Sequence, residues 1–181
     1  MKETIKTRKV AILAADGVDD AALTSMKRAL MAAGAQAKVV APRLGFLRSS
    51  KNQDIQIDFS LLTAGSVLFD AVYIPGGEQS VDTLKGDAKA LRFVREAYLH
   101  CKAIAASDAG VELLLAAHPV PEKAAPSKMK GSQTDPLAAL TGDEGIIAAR
   151  GKKESQVAAK FIKAIALHRN WKREVKDHPL S

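Results

Sequence analysis

Asp108 stands at the bend of residues 102–115, KAIAASDAGVELLL, where an apolar run breaks at a short polar turn and resumes with helical character. In a parallel sheet such a strand-turn-helix elbow lifts one side chain into the crevice at the carboxyl ends of the strands, where nucleophiles and ligands gather. Here that side chain is a carboxylate. Acyl chemistry at an elbow needs Ser or Cys with a base in hydrogen-bond reach, so the scaffold is present and the usual reagent is not. The helix that starts near Ala109 offers the carboxylate another use. Its first N–H groups and its dipole favour negative charge, so Asp108 is expected to cap that helix through Gly110 and Val111.

Other reactive residue types are sparse. Ser107 precedes Asp108, and strand alternation points it to the opposite face of the sheet without a Gly-x-Ser-x-Gly frame. His100, His118, His168 and His178 are dispersed and no HExxH spacing exists, so no metal site is expected. Cys101 is the sole cysteine, which excludes an internal disulfide and a thiolate cluster, and it reads as a small buried hydrophobe. Gly76 and Gly77 could turn N–H groups toward the crevice, but a tight turn after a strand demands glycine in any case. Asp16, Asp19 and Asp20 follow the first strand. The candidate crevice therefore comprises Asp16, Asp19, Asp20, Gly76, Gly77, Asp108 and Ala109. Its one conceivable chemistry is a carboxylate pair that shares a proton across the gap.

The elements that would place these residues alternate. Residues 10–14 (VAILA) form a branched apolar run, DGVDD supplies turn and N-cap chemistry, and residues 21–33 carry helical periodicity up to Gly34. Residues 37–41 return as a strand and stop at Pro42, which completes a βαβ unit. Residues 46–59 alternate weakly and are expected to form an excursion or hairpin, with IQIDF as its best strand. Residues 70–74 (DAVYI) are the next core strand, residues 87–101 a long amphipathic helix, and residues 103–106 the strand that feeds the elbow. Between 117 and 143 Pro, Lys, Ser and Gly accumulate and periodicity fades, which predicts a long irregular surface connection. Residues 145–149 (GIIAA) close the sheet and residues 155–171 form the last helix. The expected fold is α/β, a flavodoxin-like doubly wound and mainly parallel sheet with helices on both faces, in one domain over residues 1–181.

Composition limits the function classes. With 181 residues and 47% hydrophobic content, one large core is affordable in area terms. No apolar run approaches the ~20 residues that span a bilayer, and the charged start leads into a strand rather than a signal-peptide core, so a cytoplasmic location is expected. The net charge of +7 is scattered and aromatics make up 4%, so there is no stacking platform and no specific nucleic-acid partner is expected.

The succession VAILAADGVDDAAL, FDAVYIPGG and HCKAIAASDAG resembles the ThiJ/PfpI superfamily of glutamine-amidotransferase-like domains. Within it, VLFDAVYIPGGEQSV, RFVREAYLHCKAIAA and FIKAIALHRNW are most similar to the C-terminal domain of large-subunit catalases, over residues 9–171. The resemblance implies an elbow cysteine followed by His or Ala and Gly, and a glutamate on the first helix. Asp108 stands at the cysteine position, Ala109 and Gly110 follow, and Ala22 stands at the glutamate position, so both chemical groups are missing. It implies further that the parent reaction is peroxide dismutation by a haem body upstream, and that this chain holds no cofactor of its own. The expected partners are a catalase core or a second copy of the chain. The expected role is a non-catalytic accessory domain that stabilises the oligomer or acts like a chaperone. The competing expectation is a ThiJ/PfpI-type hydrolase or glyoxalase-like enzyme that uses Asp108.

Overall fold

The computed structural model describes residues 4–117, 136–151 and 153–170. Its main sheet contains six parallel strands in the order β5-β2-β1-β6-β7-β8. These are β1 (Lys9–Leu13), β2 (Gln36–Ala41), β5 (Phe59–Ser60), β6 (Ala71–Ile74), β7 (Ala103–Ser107) and β8 (Ile146–Ala149). The chain winds outward from β1 through β2 to β5, then returns to the other side of β1 to lay down β6, β7 and β8. The reversal beside β1 is a topological switch point, and it opens a crevice at the carboxyl ends of β1 and β6.

Parallel strands bury both faces, and alternation divides their side chains between two cores. Val10 and Ile12 of β1, Ala71 and Tyr73 of β6, and Ala103 and Ala105 of β7 face α1 (Asp20–Ala32) and α6 (Glu154–Ala166), packing with Leu23, Met26, Leu30 and Phe161. Ala11, Leu13, Val72, Ile74, Ile104 and Ala106 face the opposite way. There they meet α2 (Glu78–Lys85), α3 (Ala88–Leu99) and α4 (Gly110–Ala117) through Val81, Leu84, Phe93, Val94, Leu113 and Leu114. Met26, Leu30, Leu113 and Phe161 are fully buried, and each such side chain contributes about 1.5–3 kcal/mol of transfer free energy. The alternating strands and helices legible in the sequence thus form the expected doubly wound sheet.

The expected excursion at 46–59 is an antiparallel hairpin of β3 (Phe46–Arg48) and β4 (Asp54–Gln56), and the IQIDF run is divided between β4 and β5. Three further expectations need correction. The sequence pattern assigns no element between Gly77 and Asp87, yet this segment forms α2; its inward positions are Ser80, Val81 and Leu84, too few apolar residues to show a clear period. The expected irregular connection at 117–143 contains the short helix α5 (Pro136–Thr141), while residues 118–135 lie outside the described residues. The last helix ends at Ala166 rather than at 171, because His168 turns into the left-handed region at φ 69° and breaks the repeat. Among the described residues no helix is long and apolar enough to cross a membrane.

Candidate functional site

The elbow forms because β7 must reverse into α4 within two residues. Asp108 takes φ 46°, a left-handed conformation that Asp tolerates better than branched residues do. Its main-chain N–H donates to Ala149 O at 2.8 Å, so β8 holds the bend from one side. On the other side Gly110 backs onto β6. A side chain there would fall on the main-chain oxygens of Ile74 and Pro75, so only glycine permits this closeness.

The carboxylate of Asp108 does not cap α4, contrary to the expectation from sequence. Asp108 Oδ1 accepts the main-chain N–H of Gly151 at 2.7 Å, while the N–H of Val111 is taken by the main-chain oxygen of Asp108 at 3.2 Å. The turn after β8 delivers a donor to the elbow, and that donor captures the side chain. Nearby, Glu112 of α4 pairs with Arg150, and both border an open groove of about 440 Å³ together with Glu78, Val81, Asp82, Lys85, Asp108 and Ala109.

The remaining crevice residues are occupied by structural work. Asp19 is the N-cap of α1, its side chain accepting from Ala22 N at 3.1 Å and its own N–H donating to Gly76 O at 2.9 Å. Asp20 lies in the first turn of α1, where the helix dipole favours a carboxylate. Asp16 turns toward the hairpin, accepting from Arg48 N at 2.8 Å and pairing with Arg43 at 3.3 Å. Gly77 has φ 109°, and a Cβ there would meet Asp19 N at 2.8 Å. A Cβ on Gly76 would lie 3.4 Å from that of Asp108. The glycine turn therefore fastens the β6 end to the α1 loop and the elbow. Ala22 is buried at 2% exposure in the inner face of α1. The structure brings Gly76, Gly77, Asp19 and Asp108 to one end of the sheet. It joins none of Asp16, Asp19 and Asp20 to Asp108 by a hydrogen bond.

Under the elbow lies a cluster that sequence reasoning missed. Tyr73 Oη donates to Glu154 Oε2 at 3.0 Å and lies 2.9 Å from Ser107 Oγ, which in turn is 3.4 Å from the same carboxylate oxygen. Ser107 does point to the opposite face from α4, as alternation requires, and there it meets the first residue of α6. Burial pushes the Glu154 carboxyl above its ordinary range; the hydroxyls of Tyr73 and Ser107 pull it back in part, and the charges of Asp108 and Asp19 push it further up. Burial likewise drives the Tyr73 hydroxyl above its usual value. The available signal was a tyrosine and a serine inside otherwise apolar strands, since buried hydroxyls require partners.

Ser107 is 2% exposed and lies beside a carboxylate with no imidazole in the cluster, and one oxygen of Asp108 accepts from Gly151. A haem needs an axial His, Cys, Tyr or Met aimed into an apolar cleft, and the described residues do not fit one. Tyr73 is enclosed by Ser107 and Glu154, Tyr98 donates to Asp143 at 2.6 Å, Cys101 is buried, and His100 and His168 lie on exposed helix ends. Met26 is sealed in the core and Met31 faces outward. Among the described residues no group of three His, Cys, Asp or Glu could hold a metal ion. His118 and His178 lie outside the described residues.

A family model described as the C-terminal domain found in long catalases matches residues 6–175. The chain belongs to this family. It is 36% identical to Catalase HPII of Mycobacterium avium over 98% of its own length and 24% of that protein. It is 33% identical to Catalase-2 of Bacillus subtilis over 96% of its length and 22% of that protein. The chain thus spans about a quarter of the length of these relatives. Among solved structures it is similar to a ThiJ/PfpI domain protein from Brachyspira murdochii, with a TM-score of 0.69 at 18% identity over 88% of this chain and 97% of that one. It is also similar to oxidised DJ-1 of Toxoplasma gondii, with a TM-score of 0.66 at 20% identity over 94% and 95% of the two chains. These likenesses show the ThiJ/PfpI fold. In this chain Asp108 stands at the bend between β7 and α4.

Proposed function

We propose that this catalase C-terminal domain is a non-catalytic accessory domain that stabilises or shapes the oligomer of a haem catalase. The observation that carries the reading is the fate of the elbow. In a chain matched along nearly its whole length by the family model, Asp108 is bound to Gly151 and Ala22 is packed in the core of α1. Function must be argued from the site, and this site is built as a structural joint. On this reading the peroxide chemistry and the haem belong to a catalase body, the working compartment is the cytoplasm, and the partner is that body or a second copy of the chain. A chaperone-like role is the lesser version, because aromatic residues make up only 4% of the chain and its helices are rich in alanine.

The enzyme alternative has one observation on its side. The charge of Asp108 raises the Glu154 carboxyl, so the two carboxylates lie within electrostatic reach of one another. Glu154 is engaged by Tyr73 and Ser107 under the sheet, however, whereas Asp108 is exposed above it. A shared proton between them therefore lacks a common cavity.

Reconstitution tests the proposal. The body of Bacillus subtilis Catalase-2, cut free of the C-terminal segment that this chain matches, is held at an inactivating temperature with and without the 181-residue chain. The chain is expected to lengthen the half-life of peroxide turnover and to show no turnover of peroxide, dicarbonyl or peptide substrates alone. A turnover by the chain alone that vanishes in Asp108→Asn with the fold retained would overturn the proposal.

A further inference from the structure

The end of the sheet opposite the elbow holds the strongest unassigned surface. In a parallel sheet the residues that precede each strand gather at one rim, and here they are laced together. Asp70, before β6, accepts from Lys9 N at 2.8 Å and pairs with Arg8 at 3.4 Å, before β1. Lys102, before β7, donates its ammonium to Ser66 O at 2.6 Å. Asn170, beyond α6, donates its main-chain N–H to Cys101 O at 2.9 Å, and Arg169 donates to His100 O at 3.0 Å. The crossover helices run back against the strands, so the carboxyl ends of α3 and α6 arrive at this same rim.

On that laced rim four large apolar side chains face outward. Val67 is 80% exposed, Leu68 48%, Leu99 50% and Leu167 46%. Single exposed hydrophobics are ordinary, but four on mutually bonded segments at one end form a patch of the kind that marks a binding face. The charges around it are mixed: Lys6, Arg8 and Arg169 are at least partly exposed, Asp70 is engaged by Arg8 and the main chain of Lys9, and Glu96 at the end of α3 and Asp143 and Glu144 before β8 are partly exposed as well. An apolar centre with a border of both charge signs suits a partner face that is apolar at its centre and polar at its edge.

The geometry points to this rim as the docking face for the body of a long catalase, an inference that rests on the accessory-domain reading. The chain reaches β1 through residues 4–8 at this rim, anchored by Ile5 at 2% exposure. The family is a C-terminal domain, and Mycobacterium avium Catalase HPII is matched over 24% of its length. In that relative the remaining length leads into the domain through the segment before β1. A body tethered there meets this rim at high effective concentration, whereas the elbow lies a full strand length away.

The test uses the full chain and the same shortened Bacillus subtilis Catalase-2 body, with binding read by sedimentation velocity. The wild-type chain is expected to bind. Val67→Glu combined with Leu167→Glu, which puts carboxylates into the exposed apolar centre of the rim, should weaken binding by roughly tenfold or more. Leu44→Glu combined with Phe46→Glu, exposed beside the hairpin at the elbow end, should leave it within about twofold. Circular dichroism melts confirm that both pairs fold. Should the body's half-life lengthen and binding persist in the rim pair but fall in the hairpin pair, the docking face is at the elbow end; this inference fails and the accessory reading stands. Should the wild-type chain neither bind nor lengthen the half-life, both fail. A dimer of the chain alone that the rim pair dissolves, with no binding to the body, assigns the face to a second copy and overturns the body as occupant.

Discussion

Asp108 and Gly151 are joined by a 2.7 Å hydrogen bond that ties the elbow after β7 to the turn after β8. The contact crosses 43 residues of sequence, and it spends on a main-chain donor the side chain that the elbow raises into the crevice. The residue is exposed, so water competes for both partners and the bond contributes at the low end, about 0.5–1.5 kcal/mol. Asp108 also sits at φ 46°, which costs Ala more than Gly. Asp108→Ala is therefore expected to lose about 1–2 kcal/mol and Asp108→Gly less, measured by urea midpoints at constant slope. A glycine variant weaker than the alanine variant would show that strain at the bend is not the deciding cost.

Gly110 provides the steric counterpart. Alanine normally favours a helix over glycine by up to about 1 kcal/mol. At Gly110 the added methyl would fall on main-chain oxygens of Ile74 and Pro75, which cannot swing aside as a flexible side chain can. Gly110→Ala should cost about 1–3 kcal/mol. Gly86, at φ −77° with its nearest added contact at 3.6 Å, is the control, and Gly86→Ala should be neutral or stabilising by up to about 1 kcal/mol. Equal effects at the two positions would remove the close approach from the account of the elbow.

The contrast between what was and was not legible in the sequence follows from range. The runs at 10–14, 70–74 and 103–106 announce strands because a strand buried on both faces must be continuously apolar, and local pattern suffices. Helix α2 was hidden because its inward face includes Ser80, whose hydroxyl accepts from Ala15 N at 2.8 Å rather than packing as an apolar side chain. The elbow was legible as a bend, and its missing thiol as a substitution, from neighbouring residues alone. The partner of Asp108 and the Tyr73–Glu154 contact, 81 residues apart, were not. Such pairs depend on which loop arrives beside which strand, and that is fixed only when the crossovers close.

Lys102 sets an alkaline signature. The residue is 2% exposed, and burial together with the charge of Arg169 lowers its ammonium to about 8 from 10.5, despite help from Asp70 and Glu96. The folded pKa lies below the unfolded one, so between about 8 and 10.5 the unfolded chain binds more protons and stability rises with pH. Lys102→Met removes this titration. The stability difference, wild type minus Lys102→Met, should increase across that window when followed by urea unfolding at successive pH values. A flat difference would show that the amine keeps its proton in the folded protein.

Glu154 sets the opposite signature on the acid side. Its carboxyl is raised mainly by burial, with Asp108 and Asp19 adding to the effect from the elbow and the α1 cap, while Tyr73 and Ser107 lower it. A folded pKa above the unfolded 4.5 means that the native state holds its proton longer. The resulting stability is complete below 4.5 and is lost as pH rises through the raised folded value. Because Glu154 is only half-buried, solvent weakens the effect, and its sign matters more than its size. Glu154→Gln keeps an acceptor for Tyr73 and carries no charge at any pH. The stability difference, wild type minus Glu154→Gln, should therefore fall as pH rises above 4.5 and level off once the carboxylate is ionised. Paired chemical denaturation of the two proteins from pH ~4 to ~8 reads this difference directly and cancels the titration of every other carboxylate. A difference that grows with pH would mean that the hydroxyls of Tyr73 and Ser107 outweigh burial, and that the cluster is tuned to hold a charged carboxylate beneath the elbow.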